Sequence, residues 1–543
     1  MRPFGFLLSL LAAGVTTFTT LAQTNSSAAG TNGAETKSMS LEDCVEIALH
    51  HNLDIEIQRY NPQINAFNLG GLYGSYEPNL YVNGEHDENQ QPGGVDSQGR
   101  AIPGAEIRTD RYAGGFSGLL PWGLNYNLGI NLIDQTTIRP PIPGGNFTNV
   151  VQNTFFVPSW GSNVTFLSTN TSVTGVPGIT TETYSGEAGF LQLRQPLLKN
   201  FWIDNTRLQI FLDKKTLQQS ELTLRGQVMT TINAVEQAYY NLIFSQENVK
   251  VQQKAVELAE RQLAENKKRV EVGAMAPLDE KQAESQVASS QADLFNALGS
   301  EETQQRVLKN LLSDDYSKWA TVVIQPTAKL LAVPQRFDLQ DSWRKGMSMR
   351  PDLISQRVSL EKQGYIVKYN RNQLFPQLDM IGTLGYNSSS PNFNGYLDQF
   401  KNRDNLFWSA GGQMTFPLGN GTARNNLKAA KAAKDQATLG LKQLEQNVMV
   451  TIENDIATAN TRFQQVTATR EARVYAEAAL EAEQKKLESG KSTSFVVLQL
   501  TRDLTSARSA EISALANYNI SLSQLALDEG TTLERRHVTL QWK

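Results

Sequence analysis

The residue types that most often carry chemistry are few in this chain and poorly placed for it. Of the four histidines, His50 and His51 are neighbours, while His86 and His537 stand alone. Two histidines that share a metal on one helix sit three or four positions apart, so an adjacent pair points to different sides. Metal ligation is not expected. The single cysteine, Cys44, can form no internal disulfide and lies in an amphipathic helical pattern, which makes it a buried structural thiol. No Gly-x-Ser-x-Gly elbow, phosphate loop or Cys-x-x-Cys pair occurs. Asp and Glu are common but fall along helical patterns as solvated faces. A net charge of −4 over 543 residues offers no basic surface to nucleic acid. The expectation is a protein that is not an enzyme and needs no cofactor.

What the sequence does contain is organisation. Residues 1–22 read as a secretory signal peptide, with Arg2 as the positive end, an apolar run from Phe4 to Val15, and Thr20-Leu21-Ala22 as the small-residue cleavage site. No cysteine follows that site, which disfavours a lipid anchor. Residues 23–40, rich in Ser, Ala, Thr, Asn and Gly, read as a flexible leader. No later segment has the about 18–20 continuous apolar residues of a membrane-spanning helix. Any membrane-inserted part must then be a β-barrel.

Two copies of one long unit follow, 41–312 and 339–528, joined by a linker at 313–338 and followed by a tail at 529–543. Leu41, Asp54, Gln58, Arg59, Pro78 and Leu80 recur 298 positions later as Leu339, Asp352, Gln356, Arg357, Pro376 and Leu378. Further along the offset falls to 217, where Val235, Leu242, Val249, Leu263, Val270 and Gly273 answer Ile452, Ala459, Val466, Leu480, Leu487 and Gly490. The first copy therefore carries an extra block of roughly 80 residues.

Each copy opens with helices at 41–74 or 339–374, broken near Asn52 and Pro351. Barrel strands come next. In the second copy, 378–416, Leu378, Met380, Leu384 and Tyr386 alternate with Asp379 and Thr383, and Trp408, Met414 and Phe416 with Ser409, Gln413 and Thr415. Asn387 to Asn405 between them reads as a solvent loop. The first copy, 79–195, has comparable strands near 79–86 and 184–195. Its extra block holds a further alternating hairpin, Tyr112 to Gly118 and Leu124 to Leu132, turning at Leu120-Pro121-Trp122-Gly123. Either this hairpin extends the barrel wall or it caps the barrel. The segments 87–110 and 135–183 read as polar loops.

The coiled-coil part spans 205–312 and 422–528. Long helices of roughly 95–100 Å are expected at 205–268 and 422–487, with a seven-residue apolar beat that Arg473 interrupts in the second copy. They stop at Gly273 and Gly490. Return helices run at 278–312 and 494–528. Pro277 suits the first turn of one, and Ser492, Thr493 or Ser494 can cap the other. The fold class expected is an internally duplicated α+β membrane protein of long coiled-coil hairpins and antiparallel barrel strands.

The duplicated unit, the paired glycine tips Arg269 to Asp279 and Lys486 to Val496, and the junction Leu191-Gln192-Leu193-Arg194-Gln195-Pro196-Leu197-Leu198 resemble the TolC family of outer-membrane channel proteins. The resemblance covers about 40–530. It implies a homotrimer in outer-membrane lipid, with an α-helical tunnel through the periplasm and a periplasmic end that opens when an adaptor and inner-membrane transporter dock. It assigns docking to Val272, Gly273, Ala274, Ser489, Gly490 and Lys491. It assigns the pore constriction to Asp279, Gln282, Val496 and Gln499. Best-studied members carry acids at the last two positions, so Val496 and Gln499 imply weaker cation preference. Val496 packing between helices, and Asp279 merely starting a helix, are the plainer readings. Barrels matched in width to the tunnel favour the extra hairpin as a cap, whereas its strong alternation favours the wall.

The leading expectation is a passive exit duct of a tripartite efflux or type I secretion system. The alternative is a periplasmic coiled-coil adaptor or scaffold, which a whole-chain duplication disfavours.

Overall fold

A computed structural model describes residues 36–95, 101–141, 147–157, 162–172, 177–273 and 275–539. The signal peptide, most of the leader, and Ala274 lie outside the described residues.

The described residues open with a short strand, β1 (Thr36–Met39), inside the segment expected to be a flexible leader. Its partner explains the difference. It pairs in parallel with a strand of the linker that follows the first copy, and Met39 is buried there. Helix α1 (Leu41–His51) is started by a capping box in which Ser40 and Asp43 serve each other's backbone N–H. Cys44 is fully buried on its apolar face, and burial pushes the thiol up to about 12. Asn52 ends α1 and starts α2 (Leu53–Tyr73), accepting from Asp54 N and Ile55 N while its amide donates to Leu311 O at 3.0 Å.

Strand β2 (Asn79–Gln90) leaves the end of α2. A small turn pair, β3 (Gly94–Val95) and β4 (Ala101–Ile102), precedes two long strands, β5 (Glu106–Leu119) and β6 (Asn125–Arg139). A separate ribbon, β7 (Phe147–Val157) with β8 (Ser162–Ser172), is followed by β9 (Ile179–Pro196). Much of 87–110 and 135–183 is thus strand, not loop. The expectation rested on polar composition, whereas these segments are also rich in β-branched threonine, which suits strands.

Helix α3 (Asn205–Glu271) is capped by Asp204, whose carboxylate accepts from Arg207 N at 2.7 Å. It turns back into α4 (Pro277–Leu312). The linker forms a helical turn, α5 (Tyr316–Trp319), and β10 (Val323–Pro326), the partner of β1. The second copy then runs α6 (Leu339–Met349), α7 (Pro351–Asn372), β11 (Gln377–Ser390), α8 (Phe393–Asn402), β12 (Leu406–Thr415), α9 (Gly421–Glu488) and α10 (Ser494–Asp528), with α11 (Thr532–Arg535) closing the chain. Helix α8 replaces the expected solvent loop. Asn392 caps it, and Phe393, Tyr396 and Phe400 form an aromatic face that a count of polar residues hides.

One six-stranded antiparallel sheet has the order β12-β11-β9-β6-β5-β2. The β5–β6 hairpin is hydrogen-bonded to β2 on one side and to β9 on the other. It is part of the sheet and not a cap. The sheet has two chemically distinct faces. Directly paired positions give the apolar row Leu80, Phe116, Leu128, Leu191, Leu384 and Trp408, one residue from each strand. The adjacent row, on the opposite face, is Asn79, Ser117, Asn127, Gln192, Thr383 and Ser409. Past the apolar rows, β2 and β5 carry the opposed charges of Glu85 and Arg111, and His86 Nδ1 is in hydrogen-bond contact with Asp110 at 2.6 Å.

Below the sheet, α3 runs past α2 and then α4, and α9 past α7 and then α10. Each copy is a two-column hairpin whose second column is made of two shorter helices. The copies meet where α7 and α10 pack on α3. There Phe211 stacks on Tyr365, and Lys362 Nζ donates to Thr216 Oγ1 at 2.9 Å. The largest core is a girdle at mid-height formed by β1, α1, β10, the end of α4 and the stretch of α3 from Leu224 to Ile243. The expected seven-residue beat is buried at Val235, Leu242 and Val249, and at Ile452, Ala459, Val466, Leu480 and Leu487. Arg473 interrupts it for a physical reason. With Arg508 of α10 it binds Glu477, and it also reaches Glu511, so an ion cluster joins α9 to α10 at that level.

Candidate gate and docking tips

Both hairpins reverse at a glycine in the left-handed region, Gly273 at φ +74° and Gly490 at φ +71°. A Cβ at either would meet nothing within 4 Å, so the backbone conformation and not crowding selects glycine. At the second tip Gly490 N donates to Leu487 O at 3.1 Å and Lys491 N to Lys486 O at 2.8 Å, the pattern of a helix closed by a left-handed residue. Val272 is 77% exposed, and Ser489 and Lys491 are also exposed. Five of the six tip residues named from the sequence therefore form solvent-facing ends; the sixth, Ala274, lies outside the described residues.

The two tips are tied together by a residue that the sequence reading did not single out. Asn266, on the last turns of α3, is fully buried. Its amide nitrogen donates to Ser494 Oγ at 2.6 Å and to Asp279 O at 3.3 Å, and its oxygen accepts from Gln262 Nε2 at 2.8 Å. Ser494 belongs to the other copy, at the start of α10. A signal was present. Three positions after each member of the valine–leucine beat runs a second series, Ala238, Ser245, Gln252, Ala259 and Asn266, in which a polar residue fixes register.

Of the three capping candidates for α10, Thr493 occupies the cap position but makes no side-chain cap bond. Ser494 is taken by Asn266, and Ser492 Oγ donates to Glu483 Oε1 at 2.6 Å. Glu483 stands 217 positions after Asn266, so each long helix uses the same position to hold its tip, with different chemistry. That hydroxyl and Lys486 hold the Glu483 carboxyl below its ordinary range.

The residues assigned to the constriction lie one turn beyond the tips. Val496 is exposed in the single chain, at 38%, rather than packed between its helices. Gln499 is exposed too, and its Nε2 donates to Asp503 Oδ1 at 3.0 Å. Asp279 and Gln282 are half-buried at the start of α4, and Asp279 N donates to Ala276 O. The acid absent at 496 and 499 thus reappears one turn further, at Asp503. Leu278 and Phe495, equivalent under the 217 offset, both present large exposed apolar side chains beside these positions.

A second polar assembly crosses the copies at the girdle. Glu236, buried, accepts from Ser523 and from Arg536. Asn233 donates to Gln524 at 3.0 Å, Gln524 to Asp528 at 2.7 Å, and Arg350 to Asp528 at 2.8 Å. Asp455 of α9 lies against Asp528 with a buried carboxylate oxygen that has no partner of its own. Burial, then the hydrogen bond and charge of Asp528, push the Asp455 carboxyl up to about 7. Among the described residues, no cluster of His, Cys, Asp or Glu is arranged to hold a metal.

Comparison with known proteins agrees with this architecture. The sequence profile of the Outer membrane efflux protein family matches residues 154–313 and 347–528, more than half of the chain. The chain is 24% identical over 323 residues to outer membrane protein TolC of Vibrio cholerae, covering 59% of this chain and 72% of that one. Its fold is similar to the Campylobacter jejuni CmeC outer membrane channel (TM-score 0.60, 17% identity, 91% of this chain and 86% of that one). It is similar as well to the open state of the Neisseria gonorrhoeae MtrE outer membrane channel (TM-score 0.59, 16% identity, 92% and 91%). The chain belongs to the outer membrane efflux protein family: it is an outer-membrane channel protein with its helical part in the periplasm, and not an enzyme.

Proposed function

We propose that three copies close into one passive duct, a barrel in the outer membrane continuing into a helical tunnel, through which cargo leaves the periplasm. The hairpin tips gate its inner end when a periplasmic adaptor and an inner-membrane transporter dock. The observation that carries this reading is an unfilled contact. Helix α2 presents Leu53, Ile57, Tyr60, Ile64 and Phe67, a four-three-four-three seam of large apolar residues, all exposed; Phe67 is 77% exposed. Its counterpart in the second copy, α7, turns the equivalent positions onto α3: Ser355 O accepts from Gln219, Lys362 donates to Thr216, and Tyr365, the equivalent of Phe67 at the 298 offset, stacks on Phe211. By the same relation α2 needs an α9, and the α9 of its own chain lies on the wrong side of the molecule's repeat order. Leu439, equivalent to Leu222 of α3, is 69% exposed on α9 and supplies the receiving surface. A second copy of the chain meets both needs, and repetition around a ring closes the duct.

The apolar face of the sheet supports contact with lipid, and the polar face an aqueous lumen. A free-standing adaptor or scaffold has no use for a two-faced sheet of this extent. The test is to purify the mature protein from outer membranes, measure its mass in detergent and record conductance in planar bilayers. Trimers that conduct are expected, and Ile57→Asp with Phe67→Asp should yield monomers. A non-conducting monomeric wild type would overturn the reading.

A further inference from the structure

Two strands from each copy of the repeat would give four strands per chain and twelve in a ring of three. The sheet of this chain has six. We infer that the barrel is closed by 18 strands, the β5–β6 hairpin being an integral stave pair of the wall. This rests on the three-chain duct proposed above.

Three observations carry it. The hairpin is not peripheral: β5 is paired with β2 over the full length of β2, from Asn79↔Ser117 to Gln90↔Glu106, and β6 with β9 from Asn125↔Arg194 to Arg139↔Ile179. Insertion also preserves face chemistry. Phe116 and Leu128 fall in the apolar row, and Ser117 and Asn127 in the polar row, in step with the four strands that the repeat supplies. A flap lying outside the wall would need neither coincidence, since a one-residue slip would exchange the faces. Direction is preserved as well. The strands alternate across the sheet and leave β2 and β12 as its two edges, which run opposite ways and can pair antiparallel between neighbouring chains.

The repeat also gives the register at the seam between chains. Gln192 to Pro196 of β9 correspond to Gln413 to Pro417, and Asp379 to Thr383 of β11 correspond to Tyr81 to Glu85. Since Ile381 pairs with Arg194, Asn83 of one chain should pair with Thr415 of the next.

The test uses cysteine pairs in the full chain with Cys44→Ala, expressed in outer membranes and oxidised. Asn127→Cys with Gln192→Cys should form an intramolecular disulfide, read by mass spectrometry of peptides. Tyr81→Cys with Gln192→Cys should form none, because two strands separate them; this is the pair a twelve-strand wall would place opposite each other. Asn83→Cys with Thr415→Cys should give covalent dimers and trimers on non-reducing gels. Formation of the Tyr81–Gln192 disulfide, with the trimer ladder retained, would overturn the 18-strand wall and leave the duct standing. Loss of the ladder together with absence of conductance would overturn the duct itself.

Discussion

Asn266 of the first copy and Ser494 of the second are joined by a 2.6 Å hydrogen bond in which both side chains are buried. This bond is the only place where the described tips exchange side-chain hydrogen bonds across the two copies. Under the repeat, the matching contact between chains would set Glu483 against Pro277, which has no hydroxyl to offer. In the proposed ring, the seam within a chain would be bonded in this way and the seam between chains would not.

Replacing Asn266 by Ala should loosen the closed end. It leaves the Ser494 hydroxyl and the Asp279 carbonyl without their buried donor, at a cost of about 1–3 kcal/mol. The expected result is more frequent channel opening in planar bilayers and faster amide exchange at 262–282 and 490–500. Ser494→Ala removes only one of the two acceptors and should do less. Unchanged opening in both variants would argue that the tips are held by other contacts.

Charge placed at the constriction should change ion preference. Val496→Asp with Gln499→Asp puts two carboxylates per chain on the exposed face of α10, multiplied by the number of chains in the ring. Reversal potentials in a salt gradient should shift toward cations, and divalent ions should block. Asp503→Asn should shift them the other way. A reversal potential that none of these variants moves would place this face outside the pore.

The tips should tolerate no proline. Proline holds φ near −65°, and Gly273 and Gly490 require about +70°. Gly273→Pro and Gly490→Pro should each abolish export while native gels still show trimers, since the girdle and sheet lie far from the tips. Normal export by both would remove the tips from docking.

Asp455 makes stability depend on pH in a definite direction. Its carboxyl has a folded value of about 7, above the ordinary 3.8, so the folded chain keeps a proton that the unfolded chain has lost between those values. Stability falls as pH rises through that window and levels off above it. Asp455→Asn mimics the protonated form. In detergent it should melt higher than wild type at pH 8, with the difference shrinking toward pH 4. A difference independent of pH would mean that Asp455 is ionised throughout.

The helical half of the molecule was legible because its pattern is long and redundant. Val235 to Val270 repeats one choice six times, and proline and glycine mark the ends of the same helices. The sheet was legible only where one face is greasy. Leu124 to Leu132 announced a strand, while β7, β8 and the far parts of β5, β6 and β9 did not, because their sequences hold no sustained alternation of apolar and polar residues. Asn266 was missed for a related reason. A single asparagine among helical residues acquires meaning only when α10, 228 positions away in sequence, is seen beside it. The position of the β5–β6 hairpin depended on pairing partners on both sides, and pairing is a relation between segments that composition does not encode.

The strand β1 has a consequence for the order in which the molecule is made. Met39 seats against the girdle, and its carbonyl accepts from Tyr239 Oη at 3.0 Å and from Thr327 N at 3.1 Å. Its strand partner begins at Val323, almost 300 residues downstream. Strand β1 must therefore wait, unpaired, until residues 323–326 of the linker are available. A contact of such sequence separation is entropically late and slow to form. The first repeat therefore cannot finish its own core alone: its first strand stays unpaired until the linker beyond the repeat is in place.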